Sequence, residues 1–199
     1  MNKIIVLVDM DGVIAEFDEH FDVWVRAMGY GFDWSIFTSW SIEKAITGCE
    51  NHKHQKAVFA KVLNDPKFWL GIPVFPEAQE HLGKIHADPR FHVKICTNPW
   101  GTQQIYKDVK IEWMNRFFPY IPTEDIIFSG SEKWLIPGEV IIDDKPEVLE
   151  RCAPDKVTIK SNRPYNRETK STFEFTRWSQ VPEHLDKIHH WWSTVTMGH

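Results

Sequence analysis

The chain has 199 residues, of which 42% are hydrophobic and 26% are charged, and its formal net charge is −5. These values are ordinary for a folded globular protein and allow one domain with a sizeable insertion, or two small domains. The acidic balance disfavours a groove that follows a nucleic-acid backbone, because such a groove needs an excess of Lys and Arg. A polymeric nucleic-acid substrate is therefore disfavoured, whereas a mononucleotide is not.

The cysteines indicate a reducing environment. Cys49, Cys96 and Cys152 are scattered, odd in number and without the spacing of a zinc site, so neither a disulfide framework nor a zinc centre is predicted. The apolar run at the N-terminus is too short for the core of a signal peptide, and no run of about 18 apolar residues is present to span a membrane. We therefore expect a cytoplasmic protein without a membrane partner.

The first predicted element is the apolar run Ile4–Val8, which leads directly into Asp9, Asp11 and Gly12. This pattern predicts a buried parallel strand with two carboxylates at its C-terminal end, the edge where open α/β sheets bind ligands. Two carboxylates would repel a phosphate unless a hard cation lay between them, so the pair is typical of a Mg²⁺-dependent phosphoryl site. A strand that simply ends in an Asp/Gly turn is the alternative from these residues alone.

The following segment shows helical periodicity but no convincing strand between residues 32 and 75. Helices are predicted at residues 18–28, 41–47 and 52–63, and Gly29 is expected to end the first of them. We interpret residues 17–75 as a small helical cap inserted after the first strand. Residues 1–16 and 76–199 would then form the core domain.

Strands and helices alternate through the rest of the chain. The predicted strands are 91–97, 125–129, 139–142 and 156–160, and the predicted helices are 77–86, 103–117 and 182–194. This alternation predicts an α/β fold with a doubly wound, Rossmann-like parallel sheet of about five strands. Because the carboxyl ends of parallel strands share one edge, the polar residues that follow them should converge there. These residues are Asp9, Asp11, Thr97, Asp143 and Asp144.

At this point the chain resembles the haloacid dehalogenase-like phosphohydrolase superfamily. Its four motifs occur in the family's order, as Asp9-Met10-Asp11-Gly12-Val13, Thr97 after an apolar strand, Lys133, and Asp143-Asp144 after Val140-Ile141-Ile142. Within the superfamily the chain is similar to the 5'(3')-deoxyribonucleotidases, through the pieces DMDGVIAEF, ICTNP, IIDDKPE, RPYN and RW. That family usually has Ser where this chain has Asn98, and often Asp where it has Glu16.

The resemblance implies a Mg²⁺-dependent phosphatase that hydrolyses (deoxy)nucleoside monophosphates. Asp9 would attack phosphorus and form an aspartyl phosphate, while Asp11 would act as general acid and base, with a pKa raised by the neighbouring carboxylates. The implied metal ligands are Asp9, Asp11 through its backbone carbonyl, and Asp143, with Asp144 acting directly or through water. The implied phosphate-binding residues are Thr97, Asn98 and Lys133.

Each of these motif residues also has a simpler interpretation when it is taken alone. Thr97 could be a polar residue at a strand end, and Lys133 could be a solvated surface lysine. Asp143 and Asp144 could cap a helix that starts at Pro146, and we expect them to do so in addition to binding a metal. Only the four motifs together favour the phosphatase interpretation.

Aromatic residues are the candidates for substrate binding. Phe17, Trp40, Phe68 and Trp69 could form a slot that stacks a nucleobase, and packing within the cap or core is the alternative for each. Phe17 is the best placed because it follows Asp11 closely. The pairs His52/His54 and His189/His190 lack further ligands nearby and are predicted to lie on helix surfaces. The pair Trp191/Trp192 is predicted to pack on the core, with a homodimer contact as the alternative.

Other functions remain open from the sequence. One is a phosphatase for another small phosphomonoester or for a nucleic-acid 3'-phosphate, although the net charge disfavours the latter. Another is a phospho-accepting, receiver-like signalling domain, which also places acids, a Thr and a Lys on a parallel sheet. Here an insertion follows Asp9 and the second acidic pair follows Lys133, and this order disfavours a receiver.

Overall fold

A six-stranded parallel sheet forms the centre of the computed structural model, which describes residues 3–101, 103–130 and 132–196. The strands are β1 (Ile4–Val8), β4 (Phe91–Thr97), β5 (Ile126–Phe128), β6 (Val140–Asp143), β7 (Val157–Ser161) and β8 (Phe173–Phe175). Their order across the sheet is β5-β4-β1-β6-β7-β8, and all neighbouring strands pair in parallel. The predicted doubly wound α/β fold is thereby confirmed.

The central strand β1 explains why its sequence is continuously apolar. Its residue Val6 pairs with Val93 of β4 on one side and with Val140 of β6 on the other. Val6 and Val8 face the larger apolar cluster of the protein, whereas Leu7 points to the opposite face and packs with Val148 and other residues of a smaller cluster. Both faces are therefore covered, as expected for a strand at the middle of a parallel sheet.

Helices cover the two faces of the sheet. Their bounds are α1 (Phe17–Ala27), α2 (His52–Leu63), α3 (Pro66–Leu70), α4 (Ala78–Ala87), α5 (Gln104–Phe117), α6 (Pro146–Cys152) and α7 (Val181–Thr196). Short 3₁₀ segments lie at 42–45, 123–125, 133–135, 164–166 and 178–180. Across the described ranges, no helix combines the length and the apolar character needed to cross a membrane.

Residues 17–75 pack tightly on the sheet domain. Phe21 and Val58 of this segment belong to the same apolar cluster as Met114 of α5. The indole of Trp113, also on α5, donates a hydrogen bond of 2.7 Å to the carbonyl of Ile72. The division into a cap at 17–75 and a core at 1–16 and 76–199 stays a prediction, and the described residues at its outer ends are 3 and 196.

Three details of the predicted elements are wrong. Residues 41–47 form a 3₁₀ turn followed by the strand β3 (Ile46–Thr47), which pairs antiparallel with β2 (Gly31–Phe32). The sixth strand of the main sheet, β8, was not predicted. Both regions are missed for the same reason, because strands of two or three residues are too short to show an alternating pattern. The five-residue helix α3 (Pro66–Leu70) was not predicted either.

Two predictions about helix ends are also corrected. The N-cap of α6 is Lys145, and Asp143 and Asp144 lie before it with their side chains turned into the sheet edge. The pair is therefore fully available for the site described below. On α7, Trp192 packs against the core as predicted, but 55% of Trp191 is exposed, because adjacent helix positions face different directions.

Candidate active site

The carboxyl ends of β1, β4 and β6 form the floor of the candidate site. Asp9 directly follows β1, and its backbone N–H still continues the sheet by donating to the carbonyl of Ile142 at 2.9 Å. Thr97 is the last residue of β4 and Asp143 is the last residue of β6. The strand order places β1 between the other two, so the predicted residues converge at one edge.

Lys133 joins two of the acids. Its ammonium nitrogen lies 2.7 Å from Asp9 Oδ1 and 2.8 Å from Asp143 Oδ2, and 4% of the residue is exposed. Burial disfavours the charged amine, yet the attraction of Asp143 and Asp9 outweighs it and raises the pKa of Lys133. The lysine is therefore protonated, and it is not the solvated surface residue that the alternative interpretation suggested.

A carboxylate cluster lies beside this lysine. One oxygen from each of Asp9, Asp143 and Asp144 lies within 4.8 Å of the other two, and all three residues are buried. Burial is the main cause that raises the pKa of Asp143 and of Asp144, and repulsion from Asp9 adds to it for both. No described residue donates a hydrogen bond to Asp144 Oδ1, although this atom is buried. An oxygen-only donor set with an unsatisfied buried oxygen fits a hard cation such as Mg²⁺.

Two residues that were not predicted as site residues hold Asp144 in place. The hydroxyl of Tyr165 donates a hydrogen bond to Asp144 Oδ2, and Asn166 Nδ2 donates to the Asp144 carbonyl at 2.7 Å. Burial and the neighbouring carboxylate raise the pKa of Tyr165, so its proton stays on the phenol. Both residues belong to the sequence piece RPYN, which supported the family resemblance but gave no role to Tyr165 or Asn166.

Gly12 leaves room for Asp144. Its φ of 76° lies in the left-handed region, and a Cβ at this position would come within 2.2 Å of Asp144 Oδ2. The Gly12 carbonyl accepts hydrogen bonds from Ser161 Oγ at 2.9 Å and from Arg163 Nη2 at 2.7 Å. The turn after Asp11 is thus fixed from β7 and from the loop that follows it.

Asp11 has a buried partner that the sequence analysis missed. Lys110 of α5 is fully buried, and its ammonium nitrogen lies 2.5 Å from Asp11 Oδ2 and 3.0 Å from Thr97 Oγ1. Burial raises the pKa of Asp11, Lys110 opposes the rise, and the charge of Asp9 reinforces it. The sequence contains a signal for the burial of Lys110, because the helical spacing places it on the same face of α5 as the buried residues Trp113 and Met114.

Thr97 and Asn98, the predicted phosphate-binding residues at the end of β4 and just after it, differ in their position relative to the cavity. Thr97 is fully buried with its hydroxyl directed to Lys110, and it does not line the cavity described next. Asn98 does line that cavity. The structure thus brings Asn98 and Lys133 to the open side of the cluster and places Thr97 behind it.

A cavity of about 240 Å³ opens from the carboxylates toward residues 17–75. Phe17, Trp40 and Trp69 line it, as the substrate-binding prediction requires. Its wall also includes residues that were not predicted, namely Asp18, Phe37, Ile42, Phe59, Leu63, Trp100, Lys145 and Tyr165. The cavity lining therefore combines carboxylates and lysines with a set of aromatic side chains.

Phe68 does not line the cavity and needs correction as a predicted contact residue. Its ring is fully buried and packs edge-on against Phe17 at 5.4 Å and against Trp69 at 5.2 Å between ring centroids. Adjacent residues on the short helix α3 point in different directions, so Trp69 reaches the cavity while Phe68 supports it from behind. The core-packing alternative is the correct one for Phe68.

Comparison with protein families identifies the chain. The family model described as "5' nucleotidase, deoxy (Pyrimidine), cytosolic type C protein" matches residues 2–189. The chain belongs to this family. The resemblance to the deoxyribonucleotidases that the motifs predicted is thereby confirmed, and membership of the type C 5'-nucleotidase family argues against a receiver domain.

Individual relatives are more distant. A Staphylococcus aureus protein named "Putative 5'(3')-deoxyribonucleotidase" is 31% identical over 93 residues, which cover 47% of this chain and 49% of that protein. The chain thus spans about half the length of this relative. A Bordetella parapertussis protein of the same name is 25% identical over 181 residues, which cover 89% of this chain and 94% of that protein.

Solved structures agree on the fold. The structure of "the putative HAD-hydrolase YfnB from Bacillus subtilis bound to magnesium" matches with a TM-score of 0.57 at 13% identity. The match covers 93% of this chain and 99% of that chain. At this level of identity the likeness shows the fold of the type C 5'-nucleotidase chain to be that of the haloacid dehalogenase-like hydrolases.

Proposed function

We propose that this protein is a Mg²⁺-dependent phosphatase that hydrolyses (deoxy)nucleoside monophosphates to nucleoside and phosphate through an aspartyl-phosphate intermediate. One observation carries the proposal. Three buried carboxylates and a buried lysine meet beside a cavity that aromatic side chains also line. This arrangement suits a phosphate at the charged groups and a flat base against the aromatic side chains.

Asp9 is the proposed nucleophile. Its Oδ1 is held by Lys133 at 2.7 Å and by the N–H of Met10 at 2.7 Å, which fixes the carboxylate and directs it along the cavity wall. Attack of its other oxygen on phosphorus would form the aspartyl phosphate and expel the nucleoside oxygen. Water would then hydrolyse the acyl phosphate and restore the carboxylate.

Asp11 is the proposed general acid and base. Lys110 holds Asp11 Oδ2, while no described residue bonds to the buried Asp11 Oδ1, so the proton can reside on Oδ1. The raised pKa of Asp11 favours the protonated carboxyl group that must deliver a proton to the leaving oxygen. After the nucleoside leaves, the same oxygen would take a proton from the attacking water.

Asp9, Asp143 and Asp144 would hold the Mg²⁺, together with the backbone carbonyl of Asp11. A bound Mg²⁺ neutralises phosphate charge and lets an anionic substrate approach an anionic nucleophile. Lys133 and Asn98 would bind phosphate oxygens from the open side. Thr97 would act through its hydroxyl, which lies 3.0 Å from the Lys110 ammonium, and it would help to orient that lysine toward Asp11.

Phe17, Trp40 and Trp69 would enclose the base. Phe17 follows the acid/base loop directly and is supported by the buried ring of Phe68, so its ring position is well defined. The substrate is then a small molecule, and a cytoplasmic location for the enzyme agrees with the three free cysteines. A phosphatase for another small phosphomonoester uses the same charged groups and differs only at these aromatic residues.

A panel of substrates tests the proposal. We expect phosphate release from 5'- or 3'-deoxynucleoside monophosphates with Mg²⁺ and none after thorough chelation. Asp9→Asn should abolish both turnover and trapping of the aspartyl phosphate. Phe17→Ala should weaken nucleotides far more than p-nitrophenyl phosphate, which has no base to stack.

The control is Glu150→Gln, which removes an exposed carboxylate outside the cavity and should leave turnover intact. Full activity in chelator, or substantial turnover by the Asp9→Asn variant, would contradict the mechanism. Preference for a sugar phosphate over every nucleotide would favour the second phosphatase instead.

A further inference from the structure

Asp18 is a buried carboxylate that the proposed chemistry does not use. It is the second residue of α1, 5% of it is exposed, and it lines the cavity next to Phe17. Among the residues that the structure describes, none donates a hydrogen bond to its side chain. A buried carboxylate without a donor is unusual, because its desolvation is uncompensated.

The other buried acids of the protein differ from Asp18 in this respect. Each of them accepts a hydrogen bond: Asp9 from Met10, Asp125 from His92, Asp143 from Lys133 and Lys145, and Asp144 from Tyr165. Asp18 is thus the buried acid within the described ranges whose donor is missing. A donor supplied by a ligand in the cavity would complete its hydrogen bonding.

Arg163, the cation whose charge acts most strongly on Asp18, donates its hydrogen bonds to another group. Arg163 donates from Nε and Nη2 to the Gly12 carbonyl, at 2.9 and 2.7 Å, and its guanidinium lies 3.9 Å from the centroid of the Phe75 ring. Burial raises the pKa of Asp18 to about 7, and the charge of Arg163 only moderates the rise. Arg163 therefore does not supply the hydrogen bond that the Asp18 carboxylate lacks.

The position of Asp18 in the cavity indicates which part of a bound substrate its side chain would contact. Asp11 is close enough for its charge to act on Asp18, and Asp11 is the residue proposed to protonate the leaving oxygen. The group that lies next to that oxygen in a nucleoside monophosphate is the sugar. The other acids that line the cavity, Asp9, Asp11 and Asp144, are assigned to the proposed chemistry and to the metal, and most of the remaining wall is aromatic or aliphatic.

We propose that Asp18 accepts a hydrogen bond from the free hydroxyl of the substrate's sugar and thereby selects nucleoside monophosphates over phosphomonoesters without that hydroxyl. The inference rests on the proposed function, since it assigns a binding residue to the same cavity. A carboxylate desolvated for this purpose rejects a substrate that lacks the donor, because the acid is then left buried and unpaired. The residue would act on substrate selection and not on the chemical step.

The test compares three substrates and four forms of the full-length protein. The substrates are the better of the 5'- and 3'-deoxynucleoside monophosphates, its analogue with the free sugar hydroxyl replaced by hydrogen, and p-nitrophenyl phosphate. The proteins are the wild type, Asp18→Ala, Asp18→Asn and Glu19→Gln. Glu19 is the matched control, because it is an exposed carboxylate in the same helical turn and lies outside the cavity.

We expect the wild type to lose about 10- to 100-fold in kcat/KM on the analogue, mainly through KM. Asp18→Ala should lose a similar factor on the natural substrate and nothing further on the analogue. Asp18→Asn keeps a neutral acceptor and should fall between the two. Glu19→Gln should match the wild type on all three substrates.

Three outcomes would overturn the inference. They are a wild type that is indifferent to the hydroxyl, an Asp18→Ala variant that still discriminates fully, and an equal loss on p-nitrophenyl phosphate. The last of these would instead indicate that Asp18 positions the catalytic groups. Failure of the proposed function looks different, because the wild type would then hydrolyse no nucleotide at all.

Discussion

The position of a site residue in this protein depends on the residues packed around it. Gly12 shows this most directly, because its missing side chain provides the space that Asp144 Oδ2 occupies. The hydroxyl of Tyr165 donates a hydrogen bond to the same oxygen. The position of a proposed metal ligand therefore depends on Gly12, which has no side chain, and on Tyr165, which lies more than 150 positions from Gly12 in the sequence.

We predict that Gly12→Ala weakens Mg²⁺ binding by about 10- to 100-fold, as is typical when a residue that orients a metal ligand is altered. The added Cβ would displace Asp144, and the positive φ adds backbone strain of about 1 kcal/mol or more. Titration of Mg²⁺ monitored by thermal unfolding measures the effect. Gly29→Ala is the control, because Gly29 also has a left-handed φ, of 87°, lies outside the cavity lining, and a Cβ there meets no described atom within 4 Å. Wild-type affinity in the Gly12→Ala variant would contradict the argument.

A second residue-scale prediction concerns pH and Asp18. Burial raises its pKa to about 7 in the folded protein, so the folded state holds the proton more tightly than the unfolded state. The contribution of Asp18 to the free energy of unfolding therefore falls as the pH rises from about 4 to about 7 and changes little above that range. Asp18→Asn removes this loss.

The gain in melting temperature of Asp18→Asn over the wild type should accordingly widen from pH 5 to pH 7 and stay constant to pH 8. Thermal unfolding at these three values provides the measurement. Glu150→Gln, which removes an exposed acid on α6 that is not among the charges acting on Asp18, should show no such widening. A gain that shrinks as the pH rises would show that the carboxylate is stabilised, and not penalised, by its surroundings.

At the scale of elements, α5 contributes more than packing. Its face carries Trp113 and Met114 into the core and Lys110 into the site, where the lysine meets Asp11 and Thr97. The ammonium also lies 4.9 Å from the centroid of the Trp69 ring of α3. One helix thus connects the proposed acid/base residue Asp11, the end of β4 and the aromatic residue Trp69 of the cavity wall.

We predict that Lys110→Met destabilises the protein by about 1–3 kcal/mol near neutral pH, because the partly buried Asp11 loses its hydrogen bond to a charged partner. Activity should also fall, since the orientation of Asp11 is lost. Chemical denaturation and phosphate release measure the two effects. The double variant Asp11→Asn/Lys110→Met should recover stability without recovering activity.

The comparison variant is Lys107→Met, one helical turn earlier. The ammonium of Lys107 lies 5.7 Å from the centroid of the Phe128 ring and forms no ion pair with an acid in the part of the chain that the structure describes. It should remain close to the wild type in both measurements. Failure of the double variant to regain stability would show that the lysine stabilises α5 by a route other than its pair with Asp11.

At the scale of the whole molecule, the sheet concentrates negative charge at one edge. It brings Asp9, which follows β1, close to the adjacent pair Asp143 and Asp144 at the end of β6. Lys133 contacts two of these acids, Asp9 and Asp143. Repulsion within the cluster opposes folding, and burial adds to the cost. A cation that binds only the folded protein would offset both.

We therefore predict that Mg²⁺ raises the melting temperature in a concentration-dependent manner and that chelation reverses the rise. At a Mg²⁺ concentration 100 times its Kd, the gain in stability should be about 2.7 kcal/mol. Asp143→Asn should weaken the rise strongly, whereas Glu150→Gln, an exposed acid on α6, should preserve it. An equal rise in both variants would point to general ionic screening and not to the cluster.

The sequence alone determined the sheet-forming strands around Asp9, Thr97 and Asp143 and their common edge, because long apolar runs and the parallel-sheet rule are local information. It also identified Asp9, Asp11, Lys133, Asp143 and Asp144, which the structure brings together. Tertiary structure alone decided that Lys110 reaches Asp11, that Phe68 packs behind Phe17, and that Asp18 lies buried with no hydrogen-bond donor among the described residues. Burial and pairing between distant segments depend on how helices pack, and no local pattern encodes that geometry.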